Sequence, residues 1–156
     1  MVDVFRVSGK GTETRLRHVQ GVRCIPDGER EGDYWADEVR TSLSTGKQPK
    51  WLYASARGLE EGTKGWVFVY ALNEMGEVDT SLGKKGCVCM WQTPTSGGWA
   101  NAIQPGPTIE GMEYIALTDS ADCSVLVLGW DGQEMKQAAR TSLDDGAGAA
   151  TAVWLD

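Results

Sequence analysis

The most informative run of residues in this chain is TPTSGGWANAI, Thr93–Ile103. Its proline, serine and two glycines predict a turn, and the small residues that follow predict a short strand with one polar side chain, Asn101. Similar strands occur at Ala36–Val39 (ADEV) and Ala150–Val153 (ATAV). The three segments recur at intervals of roughly 50 to 65 residues, and a four-stranded repeat of about 40 to 50 residues is typical of a β-propeller blade.

Strand patterns fill the rest of the chain. Runs that alternate in polarity or are wholly apolar, bounded by Gly, Asp and Asn, predict an all-β chain with no long helix. The segment 135–141 contains helix-forming residues but is too short and lacks an end signal, so an outer strand is favoured there. The predicted strands are Val2–Val7, Arg15–Val19, Asp37–Ser42, Trp51–Ser55, Gly65–Leu72, Cys87–Gln92, Ala100–Ile103, Tyr114–Thr118, Ser124–Trp130, Met135–Thr141 and Ala150–Leu155.

In chain order these strands predict a partial β-propeller, with residues 1–156 as one segment. Residues 1–30 are the outer part of a blade, 34–93 and 98–142 are complete four-stranded blades, and 147–156 are the inner strand of the next blade. The second strands of the two complete blades align with Ala54 equivalent to Ala116. Open blade faces predict either self-association or a partner chain that completes the ring.

The chain is acidic, with 22 Asp and Glu against 15 Lys and Arg and a net charge of -7. This balance argues against binding to nucleic acid or to an anionic membrane, because both require clustered cations. Asp3 and Arg6 interrupt the first residues, so no signal peptide is predicted, and a cytoplasmic location with reduced thiols is expected. Cys87 and Cys89 stand two apart in a predicted strand, which predicts that both face the same side.

A metal site is not expected. The four cysteines and His18 are scattered, and the C-x-C spacing within one strand is a poor substitute for the C-x2-C of zinc sites. Asp119 and Asp122 follow a predicted strand and could attract a cation. Turn capping is the favoured interpretation for both, since Asp commonly accepts hydrogen bonds from nearby backbone amides in turns.

Several motifs together resemble one known family. They are TPTSGG with Asn101, Tyr114–Asp119 (YIALTD), Gly129 with Trp130, Ala152–Asp156 (AVWLD), Tyr53–Arg57 (YASAR), and Tyr34 with Ala36 and Asp37. The chain is similar to the carboxy-terminal portion of the fungal 3-carboxy-cis,cis-muconate lactonizing enzymes, or carboxymuconate cyclases, which belong to a wider group of propeller lactonases and cyclases. The resemblance implies a seven-bladed, cofactor-free isomerase or lactonase of aromatic-compound catabolism. Its reaction adds a substrate carboxylate to a double bond and protonates the adjacent carbon.

The resemblance also implies a catalytic residue, Arg57, because a guanidinium can pair with a substrate carboxylate through two hydrogen bonds. An arginine solvated on a loop is the alternative. The family's other site residues lie on earlier blades, so this chain alone is expected to be incomplete for catalysis. Trp35 stands where the family can carry an arginine and Trp99 where it can carry a histidine, while His18 matches no family site residue.

Asp37, Asn101 and Thr151 are predicted at equivalent positions on three inner strands, facing a central channel. They could bind a small carboxylated substrate in a complete ring, or they could be polar groups of the channel wall that bind water. Two functions follow. One is a cyclase to which this segment contributes Arg57, and the other is a non-catalytic truncated propeller that serves as a structural or binding module.

Overall fold

The computed structural model describes residues 1–43, 46, 48–99, 101–144 and 146–155. Within these ranges the chain forms β-strands and two single-turn 3-10 segments, with no α-helix. In the described residues no helix has the length and apolar character needed to cross a membrane. The strands are β1 (Val2–Ser8), β2 (Arg15–Val22), β3 (Tyr34–Thr41), β4 (Trp51–Gly58), β5 (Trp66–Ala71), β6 (Cys87–Gln92), β7 (Ile103–Ile109), β8 (Met112–Asp119), β9 (Ser124–Trp130) and β10 (Met135–Ser142).

The strands pair in chain order to form antiparallel sheets. Strands β3, β4, β5 and β6 form one four-stranded sheet, and β7, β8, β9 and β10 form a second. Strands β1 and β2 pair as a separate hairpin. These sheets are the two complete blades and the outer strand pair that the sequence predicts, so the all-β, partial propeller fold is confirmed. Residues 135–141 are strand, as predicted, and lie in β10.

The first four-stranded sheet is buried on both faces, because alternate residues of β4 and β5 enter two different apolar clusters. The intersheet cluster, between the two four-stranded sheets, contains an edge-to-face pair of indoles, Trp51 and Trp130, with ring centroids 5.4 Å apart. The hairpin cluster lies on the opposite face, where Phe68 and Tyr70 pack with Val2 and Val22 of the hairpin. Apolar burial from two directions therefore fixes the position of this sheet.

The predicted equivalence of Ala54 and Ala116 is wrong. Ala54 lies in the hairpin cluster, so it faces the preceding sheet. In β8 the residues that face the preceding sheet are Ile115 and Leu117, which lie in the intersheet cluster. Because strand side chains alternate between faces, Ala54 corresponds to a neighbour of Ala116 and not to Ala116 itself.

A β-bulge interrupts β3 at Asp37 and Glu38, which together oppose Ser55 of β4. The backbone amide of Glu38 donates to the Ser55 hydroxyl at 3.3 Å. The Glu38 carboxylate in turn accepts a hydrogen bond from the backbone amide of Ile103 at 3.1 Å. The bulge therefore redirects two acidic side chains and links the inner strands of the two sheets.

A second bulge, at Val88 in β6, makes the prediction for the cysteines wrong. Because Val88 is an extra residue in the ladder with β5, the alternation reverses there. Cys87 packs against the hairpin cluster and Cys89 against the intersheet cluster, so the two thiols face opposite sides of the sheet.

The predicted inner strand Ala150–Leu155 is also wrong, since residues 148–155 form no strand. A strand needs a neighbouring strand for its backbone hydrogen bonds, and none of the described strands pairs with residues 148–155. Instead the indole nitrogen of Trp154 donates to the carbonyl of Gln104 at 3.0 Å, and the ring covers Gly106 of β7. The strand predicted at Ala100–Ile103 begins later than predicted, because β7 starts at residue 103. Ala100 and the last residue of the chain, Asp156, lie outside the described residues.

Candidate functional site

The candidate site lies at the end of β4, where the glycine turn of the TPTSGG motif crosses the sheet edge. The backbone amide of Gly58 donates to the carbonyl of Ser96 at 3.0 Å, which holds the turn against β4. Gly97 and Gly98 have φ values of 90° and 66°, in the left-handed region that favours glycine. A Cβ atom on Gly98 would lie 2.5 Å from the backbone nitrogen of Ala121. The turn therefore requires glycine for both conformation and space.

Asp119, at the end of β8, holds the same turn from the second sheet. Its fully buried carboxylate accepts a hydrogen bond from the Thr95 hydroxyl at 2.7 Å and another from the backbone amide of Asp122 at 3.1 Å. The Thr95 oxygen also accepts from the amide of Gly97 at 3.0 Å. The turn-capping interpretation of Asp119 is confirmed, while the carboxylate of Asp122 forms an ion pair with Arg140 at 2.5 Å.

The turn brings two of the predicted site residues together. Arg57 Nε lies 3.4 Å from Asp37 Oδ1, and each side chain is only 16% exposed. Arg57 also donates from Nη1 to the carbonyl of Gly98 at 2.8 Å. A guanidinium fixed by a carboxylate and a carbonyl has a restricted orientation, so its remaining N–H groups present a defined surface to a ligand.

Two tryptophan side chains flank this guanidinium. The Arg57 Cζ atom lies 5.5 Å from the ring centroid of Trp35 and 5.5 Å from that of Trp99. Both distances are within the range of cation–π attraction. The indoles are nevertheless open to solvent, with Trp35 60% and Trp99 89% exposed. The site thus combines a largely buried ion pair with accessible aromatic surface.

The carboxyl group of Asp37 has an unusual affinity for its proton. Burial is the main cause that raises the pKa of Asp37 from the ordinary 3.8 to about 6; the Arg57 guanidinium opposes this shift, and the nearby Glu38 carboxylate adds to it. The side chain therefore exchanges its proton close to neutral pH, which is a property expected of a carboxyl that takes part in proton transfer.

The other two predicted substrate-binding residues do not join Asp37 and Arg57. Asn101 precedes β7 and is fully buried, with Nδ2 3.4 Å from the carbonyl of Ala56 and no protein partner for Oδ1. Thr151 is exposed and lies outside any strand. The three residues therefore do not occupy equivalent strand positions, because Asp37 lies in the β-bulge of β3 and Thr151 lies outside any strand. Substrate binding by Asn101 and Thr151 stays a prediction.

Glu38 is the residue of the site region that the sequence did not single out. It is paired with Arg40, and it accepts the hydrogen bond from Ile103 that links the two inner strands. Its only signal in the sequence was its place in Asp-Glu-Val-Arg, between another acidic residue and a basic one. His18 lies on β2 beside Asp3, with Nε2 2.9 Å from Oδ1, and takes no part in the site.

Similarity to known proteins covers nearly the whole chain. Muconate cycloisomerase 1 from Cutaneotrichosporon cutaneum is 34% identical over 160 residues, which include 99% of this chain and 40% of that protein. Carboxy-cis,cis-muconate cyclase from Neurospora crassa is 27% identical over 135 residues, 85% of this chain and 34% of that protein. The resemblance to the carboxymuconate cyclases is confirmed.

No protein-family model matches the chain. The chain spans 40% of the length of Muconate cycloisomerase 1 and 34% of the length of Carboxy-cis,cis-muconate cyclase. The similarity therefore concerns a part of these proteins.

Proposed function

We propose that this chain is part of a cycloisomerase ring that converts a conjugated carboxylated diene into a lactone, with Arg57 binding a substrate carboxylate. The observation that carries the proposal is the Arg57–Asp37 ion pair, with both side chains 16% exposed, at the edge of a blade. The similarity to Muconate cycloisomerase 1 over 99% of the chain supports the same class of reaction. Arginine suits this role because its planar N–H groups match the two oxygens of a carboxylate.

The reaction is an intramolecular addition without net oxidation. One oxygen of the substrate carboxylate forms a C–O bond to an alkene carbon, the π electron pair moves to the neighbouring carbon, and that carbon takes a proton. Arg57 orients the substrate and balances its charge. Asp37 delivers the proton, because its pKa of about 6 leaves part of the population protonated near neutral pH.

A complete ring is part of the proposal. Among the described residues, the two blades and the hairpin place one guanidinium, that of Arg57, in the candidate site, whereas a substrate with several carboxylates needs several cations. Further blades, from a longer polypeptide, a partner chain or another copy of this chain, would supply the remaining groups. Closure of the ring would also cover the open sheet faces at both ends of the segment.

The test is turnover by a ring-complete protein, made by joining this chain to the amino-terminal portion of Muconate cycloisomerase 1. Loss of the conjugated-diene absorbance of cis,cis-muconate measures the rate. Arg57→Ala is expected to lower kcat/KM by about 100-fold or more. Arg57→Lys is expected to lower it by less, because lysine keeps the positive charge but lacks the paired N–H groups of a guanidinium. Arg6→Ala is the control, since Arg6 pairs with Glu77 on the hairpin side.

An unchanged rate in the Arg57→Ala protein would remove Arg57 from the mechanism.

The second candidate function, a non-catalytic binding module, is favoured by one observation: Arg57 is already engaged by Asp37 and by the carbonyl of Gly98. A ring-complete protein that folds, binds muconate and fails to convert it would support this second function.

A further inference from the structure

A cavity of about 820 Å³ lies between the β1–β2 hairpin and the first four-stranded sheet. One wall contains the end of β2 and residues 25–27, and the other contains parts of β5, β6 and the turn before β6. Such a volume is within the range of small-molecule sites, roughly 300–1,000 Å³. Among the described residues, none that lines this hairpin cavity belongs to the candidate site around Arg57, so the cavity is a separate site.

Both walls of the hairpin cavity belong to this chain. Strand β2 directly precedes the inner strand β3, just as the outermost strand β6 directly precedes β7. By the same order β2 takes the outermost position of its blade, and the strands that complete that blade would pair with the free edge of β1. They would not come between these two walls.

The inner part of the hairpin cavity is apolar. The rings of Phe68 and Tyr70 are stacked with centroids 6.2 Å apart, and both residues are 1% exposed. The Tyr70 hydroxyl donates to the carbonyl of Arg23 at 2.6 Å, and the Cys87 thiol donates to the carbonyl of Cys89 at 3.3 Å. An apolar ligand body would therefore contact rings and aliphatic groups without depriving these polar groups of a partner.

The exposed side of the cavity, its mouth, is positively charged. Lys84 Nζ lies 2.5 Å from Asp27 Oδ2 and lowers the pKa of Asp27 below its ordinary 3.8, and the charges of Lys85 and Arg23 act in the same direction. Three cations therefore lie near one carboxylate, although the whole chain carries -7. Arg23 is also 3.9 Å from Glu31, whereas no carboxylate of the described residues forms an ion pair with Lys85.

Lys85 has a backbone conformation that costs free energy. With Gly86 it forms the two-residue loop between Lys84 and Cys87, whose backbone groups exchange hydrogen bonds at 2.9 and 3.1 Å. Both loop residues have positive φ, 55° for Lys85 and 88° for Gly86, and the first position of such a turn favours asparagine or glycine. Lysine here places a cation in the cavity lining at the expense of turn stability.

We propose that the hairpin cavity binds an amphipathic anion, a medium-chain alkyl carboxylate, with its apolar chain against Phe68 and Val22 and its carboxylate beside Lys85. The apolar interior and the cationic mouth match the two ends of such a ligand. This site goes beyond the proposed cycloisomerase activity and does not depend on it. Because the two walls belong to different sheets, the bound ligand would also hold the hairpin against the first sheet.

Isothermal titration calorimetry of the 156-residue chain compares octanoate with butyrate and with octan-1-ol. Octanoate is expected to bind at least about tenfold more tightly than butyrate, because each additional buried CH₂ group strengthens binding by roughly fourfold. It is expected to bind about threefold or more tightly than octan-1-ol, which has the chain without the charge.

Lys85→Asn is the decisive variant, because asparagine suits the turn but removes the charge. It is expected to weaken octanoate binding about threefold or more, to leave octan-1-ol binding unchanged, and to resist urea at least as well as the unsubstituted chain. Lys136→Asn is the matched control, since Lys136 lies on β10 of the second sheet and pairs with Glu134. This control should keep full affinity for octanoate.

Methyl NMR of isotope-labelled methionine locates the ligand. Met90 lines the hairpin cavity, whereas Met112 lies on β8 of the second sheet, so octanoate should shift the Met90 signal and leave the Met112 signal in place. A shift at Met112 in place of Met90 would overturn the inference. Equal affinity for octanoate and octan-1-ol, or full octanoate affinity in the Lys85→Asn chain, would also overturn it.

Discussion

The Asp37→Asn variant tests the electrostatics of the site through the pH dependence of stability. The pKa of Asp37 is about 6 in the folded chain against 3.8 ordinarily, a difference of about two units. Since one unit corresponds to 1.36 kcal/mol, ionisation of Asp37 destabilises the fold by roughly 3 kcal/mol at high pH. The Asp37 side chain is 16% exposed, but the residue lies on an exposed stretch of β3, so solvent screening makes about 3 kcal/mol an upper value.

The sign follows from which state binds the proton more tightly. Below pH 3.8 both the folded and the unfolded chain hold the proton, and Asp37 has no effect. Between 3.8 and about 6 the unfolded chain loses it first, so the free energy of unfolding falls as the pH rises. Above about 6 the full cost is present. Asparagine resembles the protonated acid, so the variant should lack this decline and be the more stable protein at about pH 8.

Urea denaturation of both proteins at several pH values between about 4 and 8 measures the difference. Asp79→Asn is the control, because hydrogen bonds from Ser81 lower the pKa of Asp79 below its ordinary 3.8, so its effect on stability should stay constant between about pH 4 and 8. Its contribution to stability is present above the ordinary pKa and is lost as the pH falls through the folded value. A stability difference between Asp37→Asn and the unsubstituted chain that does not change with pH would refute the reasoning about burial.

Two further predictions concern packing. Gly98→Ala should lower the free energy of unfolding by about 2–3 kcal/mol, because the strain of a φ of 66° and the crowding against Ser120 add to each other. Gly132→Ala should lower it by only about 1 kcal/mol, because Gly132 has a φ of 94° but a Cβ atom there would meet no atom within 4 Å. Urea denaturation compares the two variants, and equal losses would contradict the crowding argument. Tyr53→Phe should cost about 1–2 kcal/mol in the same assay, because the buried Tyr53 hydroxyl donates to Glu113 at 2.5 Å; a neutral result would mean that water replaces this hydrogen bond.

Alternating or wholly apolar runs were sufficient to find most strands, because the buried faces of the strands are apolar and the strand ends carry turn residues. This pattern failed where the alternation itself changes. The bulge at Asp37 and Glu38 depends on a hydrogen bond to the Ser55 side chain, and the bulge at Val88 depends on packing against β5. Neither has a local sequence signal, so the register and the direction of side chains beyond each bulge could not be predicted.

The candidate site could be predicted only in part for the same reason. Arg57 was found through a motif, but its ion pair with Asp37 depends on the register of β3 and β4. The position of Trp99 depends on two consecutive glycines with positive φ, which define a turn only once Asp119 and Thr95 hold it in place. Long-range contacts of this kind are set by tertiary packing and not by neighbouring residues.

The way the two four-stranded sheets meet has a geometric consequence. At the inner strands the two sheets are joined by one hydrogen bond, from the backbone amide of Ile103 to the Glu38 carboxylate. Farther from the inner strands, the large rings of Trp51 and Trp130 lie between the sheets. A hydrogen bond on one side and two indole rings on the other space the sheets unequally, so side-chain size at the Trp51 and Trp130 positions helps to set the angle between the two sheets.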